Sequence, residues 1–173
     1  MKNTLNPIVS AIRYIVPPLL LVSASFILGM HWFLLMADRL TEGITSEVIP
    51  APVLDSIRAY YTIVFGPMTW LIKIMILTLF LTMTLQLFIK AIPWYLRWII
   101  FIIHAPLVLN GVFYIIPMVD KFIKNTASLA IQSGYVRTTH DAHVISLYSI
   151  IVVIVLQIII LIRLQRQTEK KQA

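Results

Sequence analysis

The chain contains no cysteine. Disulfides, thiolate metal centres and thiol nucleophiles are therefore excluded from its chemistry. Charge is scarce as well: only 12% of the residues are Asp, Glu, Lys or Arg, where a soluble domain carries about 25%. With five glycines in 173 residues there is no glycine-rich phosphate loop, and no repeat or low-complexity tract appears. What fills the chain is apolar: 60% of residues are hydrophobic. Excess apolarity with little charge defines the membrane class. The net charge of +7 does not indicate nucleic acid, because the basic residues stand at the edges of apolar runs and form no single patch.

Gaps between charges mark the spans. No Asp, Glu, Lys or Arg lies between Arg13 and Asp38, between Arg97 and Asp120, or between Asp141 and Arg163; between Arg58 and Lys90 the only charge is Lys73. A membrane helix needs about 20 mainly apolar residues, and its backbone must satisfy itself inside lipid. The expected fold is thus all-α, an integral membrane four-helix bundle in a single domain. Spans are expected at about 14–37, 60–89, 97–118 and 142–162. Outer loops occupy about 38–59 and 119–141, and a basic tail covers 163–173. The first run is longer than a signal-peptide core and no small-residue cleavage site follows, so it reads as a retained helix.

Lys2, Arg13, Lys90, Arg97, Arg163, Arg166, Lys170 and Lys171 share one side. The other side holds Arg39, Arg58, Lys121, Lys124 and Arg137 with nearly all the acid. The positive-inside rule then places both termini in the cytoplasm, and the expected location is a bacterial inner (plasma) membrane. Trp94, Tyr95 and Trp98 suit the interface of the short inner loop.

With no soluble domain, chemistry must rest on polar groups within or rimming the spans, where they are costly and usually face the bundle interior. In span one, Ser25 and Gly29 form a small-xxx-small pair suited to close helix approach; His31 and Asp38 share a face, about 10 Å apart along the axis. In span two, Gly66-Pro67 predicts a kink or a fresh helix start. Lys73, about 9 Å beyond it, either snorkels outward or faces the interior. Thr78, Thr82 and Gln86 form a stripe suited to bonding other helices. Span three carries His104, poised to bond a carbonyl freed by Pro106, and Asn110 and Tyr114. Span four carries an inward line of His143, Ser146, Ser149 and Gln157. His31, Lys73, Tyr114, His143 and Ser146 all fall in the outer third of the membrane on four different helices, a bundle site if their faces converge.

The stretch "RTTHDAHVISLYS" opens span four. Thr138-x-x-Asp141 has the form of a capping box, with Asp141 at the positive end of the helix dipole. That reading makes His140 part of the helix entrance and His143 the histidine that matters, with its company on other helices.

Three stretches, "IRAYYTIVFGPMTWLIKI", "LNGVFYIIPMVDKFIKN" and "TTHDAHVISLYS", resemble the anthrone-oxygenase-like family of small four-helix membrane proteins. The resemblance covers about half the chain. It implies four helices, a histidine before span four matched by His140 or His143, and cofactor-independent oxidation of aromatic polyketides. The chain departs from the pattern after Pro117, where Met118, Val119 and Asp120 replace the usual asparagine, and lacks the arginine usual just after the histidine.

Three functions are open at this level. The first is a small membrane enzyme (oxygenase-like) or a lipophile-binding protein. Its candidate catalytic residues are His143, His31 and Lys73, and its candidate substrate contacts Tyr114, Ser146 and Asn110. The second is a haem- or copper-binding anchor, for which His31 and His143 are the best axial pair; no metal site reads clearly, and haem is the alternative to having no cofactor. The third is a structural or assembly subunit of a membrane complex. Expected partners are the lipid bilayer, a lipophilic small molecule and further copies or subunits, with no nucleic acid.

Overall fold

The computed structural model describes residues 7–172, with the side chains of 7–10, 67–69 and 171–172 left out; the tail residue Lys2 and the side chains of Pro67 and Lys171 lie outside the described residues. Five α-helices follow one another: α1 (Pro7–Asp38), α2 (Ala51–Gln86), α3 (Trp94–Asn110), α4 (Ile116–Ile123) and α5 (Leu129–Gln172). A 3-10 turn, Arg39–Thr41, extends α1, and a π-helical turn, Gly111–Ile115, joins α3 to α4. No strand occurs among the described residues. Three helical stretches are long and apolar enough to cross a membrane: Ala11–Thr41, Trp94–Ile123 and Leu129–Lys170. The two arms of α2, Ala51–Gly66 and Trp70–Gln86, meet at 70° and make a fourth if counted as one broken span. The bend falls where Gly66-Pro67 predicts it.

Proline sets much of this geometry. Pro50 and Pro93 adopt extended backbone at the N-caps of α2 and α3, as proline does before a helix rather than within one. Pro117 has no N–H to offer the carbonyl of Phe113, and the ladder there slips into the π-turn.

The start of α1 and the end of α5 lie at one end of the bundle, where Arg13 Nη2 donates to Gln167 Oε1 at 3.1 Å. We call this the terminal end and the other the loop end. Two apolar cores stack along the axis. The terminal-end core joins Leu20 and Ala24 of α1, Leu79 and Met83 of α2, Ile100 of α3, and Ile150 and Val153 of α5. The loop-end core joins Leu34, Ile49, Leu54, Ile57, Tyr61, Val119, Phe122 and Val136. Within the terminal-end half, Gln157 Nε2 donates to Pro17 O at 2.9 Å and exchanges amide hydrogen bonds with Gln86 at 3.1 Å. The expected interhelical role of Gln86 is met there, whereas Thr82 bonds its own helix at Thr78 O and Leu79 O.

Several expectations are corrected. Helix α5 begins at Leu129, so Thr138 and Asp141 stand exposed in its interior and form no capping box. The start is set by Ser128, whose carbonyl accepts from Gln132 N at 2.9 Å. The polar first turns are held helical by tertiary bonds: Ser133 Oγ accepts from Ile49 N at 2.8 Å, and Arg137 Nη2 donates to Ser46 O at 2.6 Å. Helix α2 likewise begins nine residues before the apolar run, because Leu54, Ile57 and Tyr61 share one buried face. The Ser25/Gly29 pair makes no helix contact: Ser25 is exposed, and a Cβ at Gly29 would meet nothing within 4 Å.

Candidate functional site

Asp38 ends α1 at the loop-end core and is wholly buried. A carboxylate out of water must be paired or hydrogen-bonded. Here it is met from two other helices. Tyr61 Oη of α2 donates to Oδ1 at 2.8 Å, and His143 Nδ1 of α5 lies 3.1 Å from Oδ2. His140, three residues earlier on the same face of α5, brings its Nδ1 to 3.6 Å from that same oxygen. This nitrogen is buried and makes no hydrogen bond among the described residues. The expectation that His140 stands apart at a helix entrance is thereby corrected: both histidines of the H-x-x-H pair point at Asp38.

Three histidines then share one orientation. A backbone carbonyl only accepts, so His31 Nδ1, 2.8 Å from Ile27 O, carries the proton. Against an ionised Asp38, His143 Nδ1 is likewise the donor. His104 Nδ1 lies 2.7 Å from Ser149 Oγ; that serine, not a carbonyl freed by Pro106, is its partner. With each Nδ1 engaged, Nε2 is the free nitrogen of each ring. None of the three Nε2 atoms is a sealed, unpartnered atom, and all three rings line a single cavity of about 100 Å³ between the two cores. That volume holds several waters or a small ring system. The His31 and His143 rings meet edge to face, centroids 5.6 Å apart at 89°.

The remaining lining is mostly apolar, with Ile27, Leu34, Phe65, Ile72 and Val119 among it. Ser146, Asn110 and Gly111 add the other polar and small positions. Asn110 is exposed while lining the cavity, and Gly111 opens the π-turn; the cavity therefore reaches the side of the bundle where α3 gives way to α4. Among the described residues no lysine or arginine lines it.

Of the residues expected to form a site, His143, His31, Ser146 and Asn110 are thus brought together. Lys73 is not. It is exposed, in a separate groove with Thr62, Phe65, Pro117 and Asp120, and does not line the histidine cavity. Tyr114 is 58% exposed on the outside of the bundle and touches no part of the cavity. Both are corrected for the same reason: depth along the axis places a residue at a level but leaves its rotation open. Asp38 and Tyr61 are the site residues that the sequence does not put among the candidates. Asp38 reads as a boundary charge, yet its seven-residue spacing from His31 on one face was the available signal.

Among the described residues no group of three or more His, Asp or Glu is placed to hold a metal ion. The chain matches no protein-family model, no curated protein and no solved structure.

Proposed function

We propose that this is a multi-pass membrane protein whose histidine cavity binds a lipophilic small molecule and removes a proton from it. Four crossings follow if the two arms of α2 count as one broken span. Lys90, Arg97, Arg163, Arg166 and Lys170 cluster toward the terminal end, so the positive-inside rule places both termini in the cytoplasm of a plasma-membrane protein. The cavity then lies in the outer half of the bilayer.

The observation that carries the reading is the Asp38–His143 pair. A buried carboxylate holds Nδ1–H of an imidazole and so fixes its tautomer and orientation, and the opposite nitrogen opens on an apolar cavity. That is the arrangement a general base requires. His143 Nε2 takes the proton and Asp38 stabilises the imidazolium. His31 Nε2 is a second acceptor. With acceptors and no cation in the lining, the cavity suits a hydroxyl or another hydrogen-bond donor better than a carboxylate or phosphate. Under the anthrone-oxygenase-like resemblance the ligand would be a phenolic polyketide, whose hydroxyl meets these requirements. The exposed edge at Asn110 and Gly111 gives such a molecule a route from the bilayer.

The test is purification in mild detergent followed by solvent extraction and mass spectrometry. A lipophile present in near-stoichiometric amount, and lost from His143→Ala and Asp38→Asn proteins that still fold, supports the reading. Folded variants that keep the same bound molecule and the same cellular phenotype return the protein to a structural or assembly role.

A further inference from the structure

A second groove, of about 510 Å³, runs between α1 and α5 at the terminal end. Its two ends differ. Leu21, Ile158, Leu161 and Ile162 line the end nearer the middle of the bundle, and Arg13, Tyr14, Gln165 and Thr168 line the end nearer the termini. From Arg13 to Leu21 helix α1 rises about 12 Å, so the groove runs along the helices. It is apolar toward the bilayer centre and polar toward the surface, the order of an acyl chain and its headgroup.

Arg13 carries the charge. Its guanidinium donates to Gln167 and lies 5.8 Å from the centroid of the Tyr14 ring; neither contact neutralises it. No carboxylate pairs with it among the described residues, and its Nε is buried without an acceptor. Glu169, the nearby acid on α5, accepts instead from Gln165 Nε2 at 3.1 Å. Arg163, Arg166 and Lys170 make the same end more positive. An unneutralised cation at the head of an apolar groove attracts an anionic headgroup, since basic residues at a membrane surface favour anionic over neutral lipid.

We infer that this groove is a binding site for an anionic phospholipid, its acyl chain along Leu21, Ile158 and Leu161 and its phosphate on Arg13. The inference rests on the membrane reading and is independent of the histidine cavity.

Native mass spectrometry of the full-length protein tests it. The detergent-solubilised chain is presented with equimolar phosphatidylglycerol and phosphatidylcholine of identical acyl composition. Retention of phosphatidylglycerol is expected to exceed that of phosphatidylcholine about fivefold, the worth of one basic residue at a membrane surface. Arg13→Gln brings the ratio near unity. Lys121→Gln, at the loop end and away from the groove, leaves it unchanged. Leu161→Trp fills the groove and lowers retention of both lipids, which tests the acyl contact separately should Arg13→Gln fail to fold. Equal retention of the two lipids by the unmodified protein, or a preference that survives Arg13→Gln, overturns the assignment, as does unaltered retention in Leu161→Trp. Displacement by inorganic phosphate alone also overturns it, because the site would then take a free anion. A chain that stays in solution without detergent contradicts the membrane reading, and that outcome is seen at extraction before any lipid is added.

Discussion

Asp38 and His143 meet at 3.1 Å across 105 positions of sequence, and the contact ties the end of α1 to the first third of α5 beside the cavity. Tyr61 closes the other oxygen of the carboxylate. Tyr61→Phe removes one donor and leaves His143 in place. It is expected to cost about 1–2 kcal/mol of stability and to leave ligand retention within a few fold. Asp38→Leu removes the acceptor of both Tyr61 Oη and His143 Nδ1 and is expected to cost about 2–5 kcal/mol, since two buried donors are left unsatisfied. Thermal unfolding in detergent compares the two; equal losses would mean that His143 contributes nothing to holding Asp38.

The cavity and the outer faces separate in a second comparison. Lys73 and Tyr114 both project outside the bundle. Lys73→Met and Tyr114→Phe are expected to stay within about 0.5 kcal/mol of the parent, as surface changes do, and to retain the extracted lipophile. Ser146→Val, which puts an apolar group on the cavity wall, should weaken retention about tenfold, a loss of roughly 1.4 kcal/mol. Loss of ligand from Lys73→Met with retention in Ser146→Val would move the site to the groove beside α4.

Gln86 and Gln157 exchange amide hydrogen bonds while both are buried. Replacing one strands the amide of the other, whereas replacing both removes the two amides together. Gln86→Leu and Gln157→Leu alone should each destabilise by about 1–2 kcal/mol, and the double variant by less than the sum, with a coupling of about 1 kcal/mol. Gln157 also donates to Pro17 O, so its single variant should be the costlier. Additive losses in a double-mutant cycle would show that the amides do not act as a pair.

Charge gaps made the apolar helices legible, because a run of that length without charge has one stable form in lipid. The inward line of His143, Ser146, Ser149 and Gln157 was legible too: His143, Ser149 and Gln157 are buried, and Ser146 is half-buried on the cavity wall. What sequence hid was rotation and tertiary support. Lys73 and Tyr114 stand at the right depth on the wrong faces. Asp38 sits at the end of an apolar run, where a charge ordinarily meets water, and only Tyr61 and His143 arriving from other helices make its burial tolerable. The first thirteen residues of α5 are polar enough to read as loop; bonds to Ser46 and Ile49 keep them helical.

That last point gives the final prediction. The capping-box pattern at Thr138 and Asp141 lies in the interior of α5, with both residues exposed. If the helix began there, Thr138→Ala would cost about 1 kcal/mol, as loss of an N-cap does. Because it begins at Leu129, Thr138→Ala and Asp141→Ala should each fall within about 0.5 kcal/mol of the parent. Ser133→Ala is different. Its hydroxyl is the acceptor for the N–H of Ile49, a residue with no exposed surface, and removing it leaves that donor unsatisfied at a cost of about 1–3 kcal/mol. Hydrogen exchange checks the same contact locally. The Ile49 amide should lose protection in Ser133→Ala and keep it in Thr138→Ala, and the reverse ranking would place the start of α5 at the capping box after all.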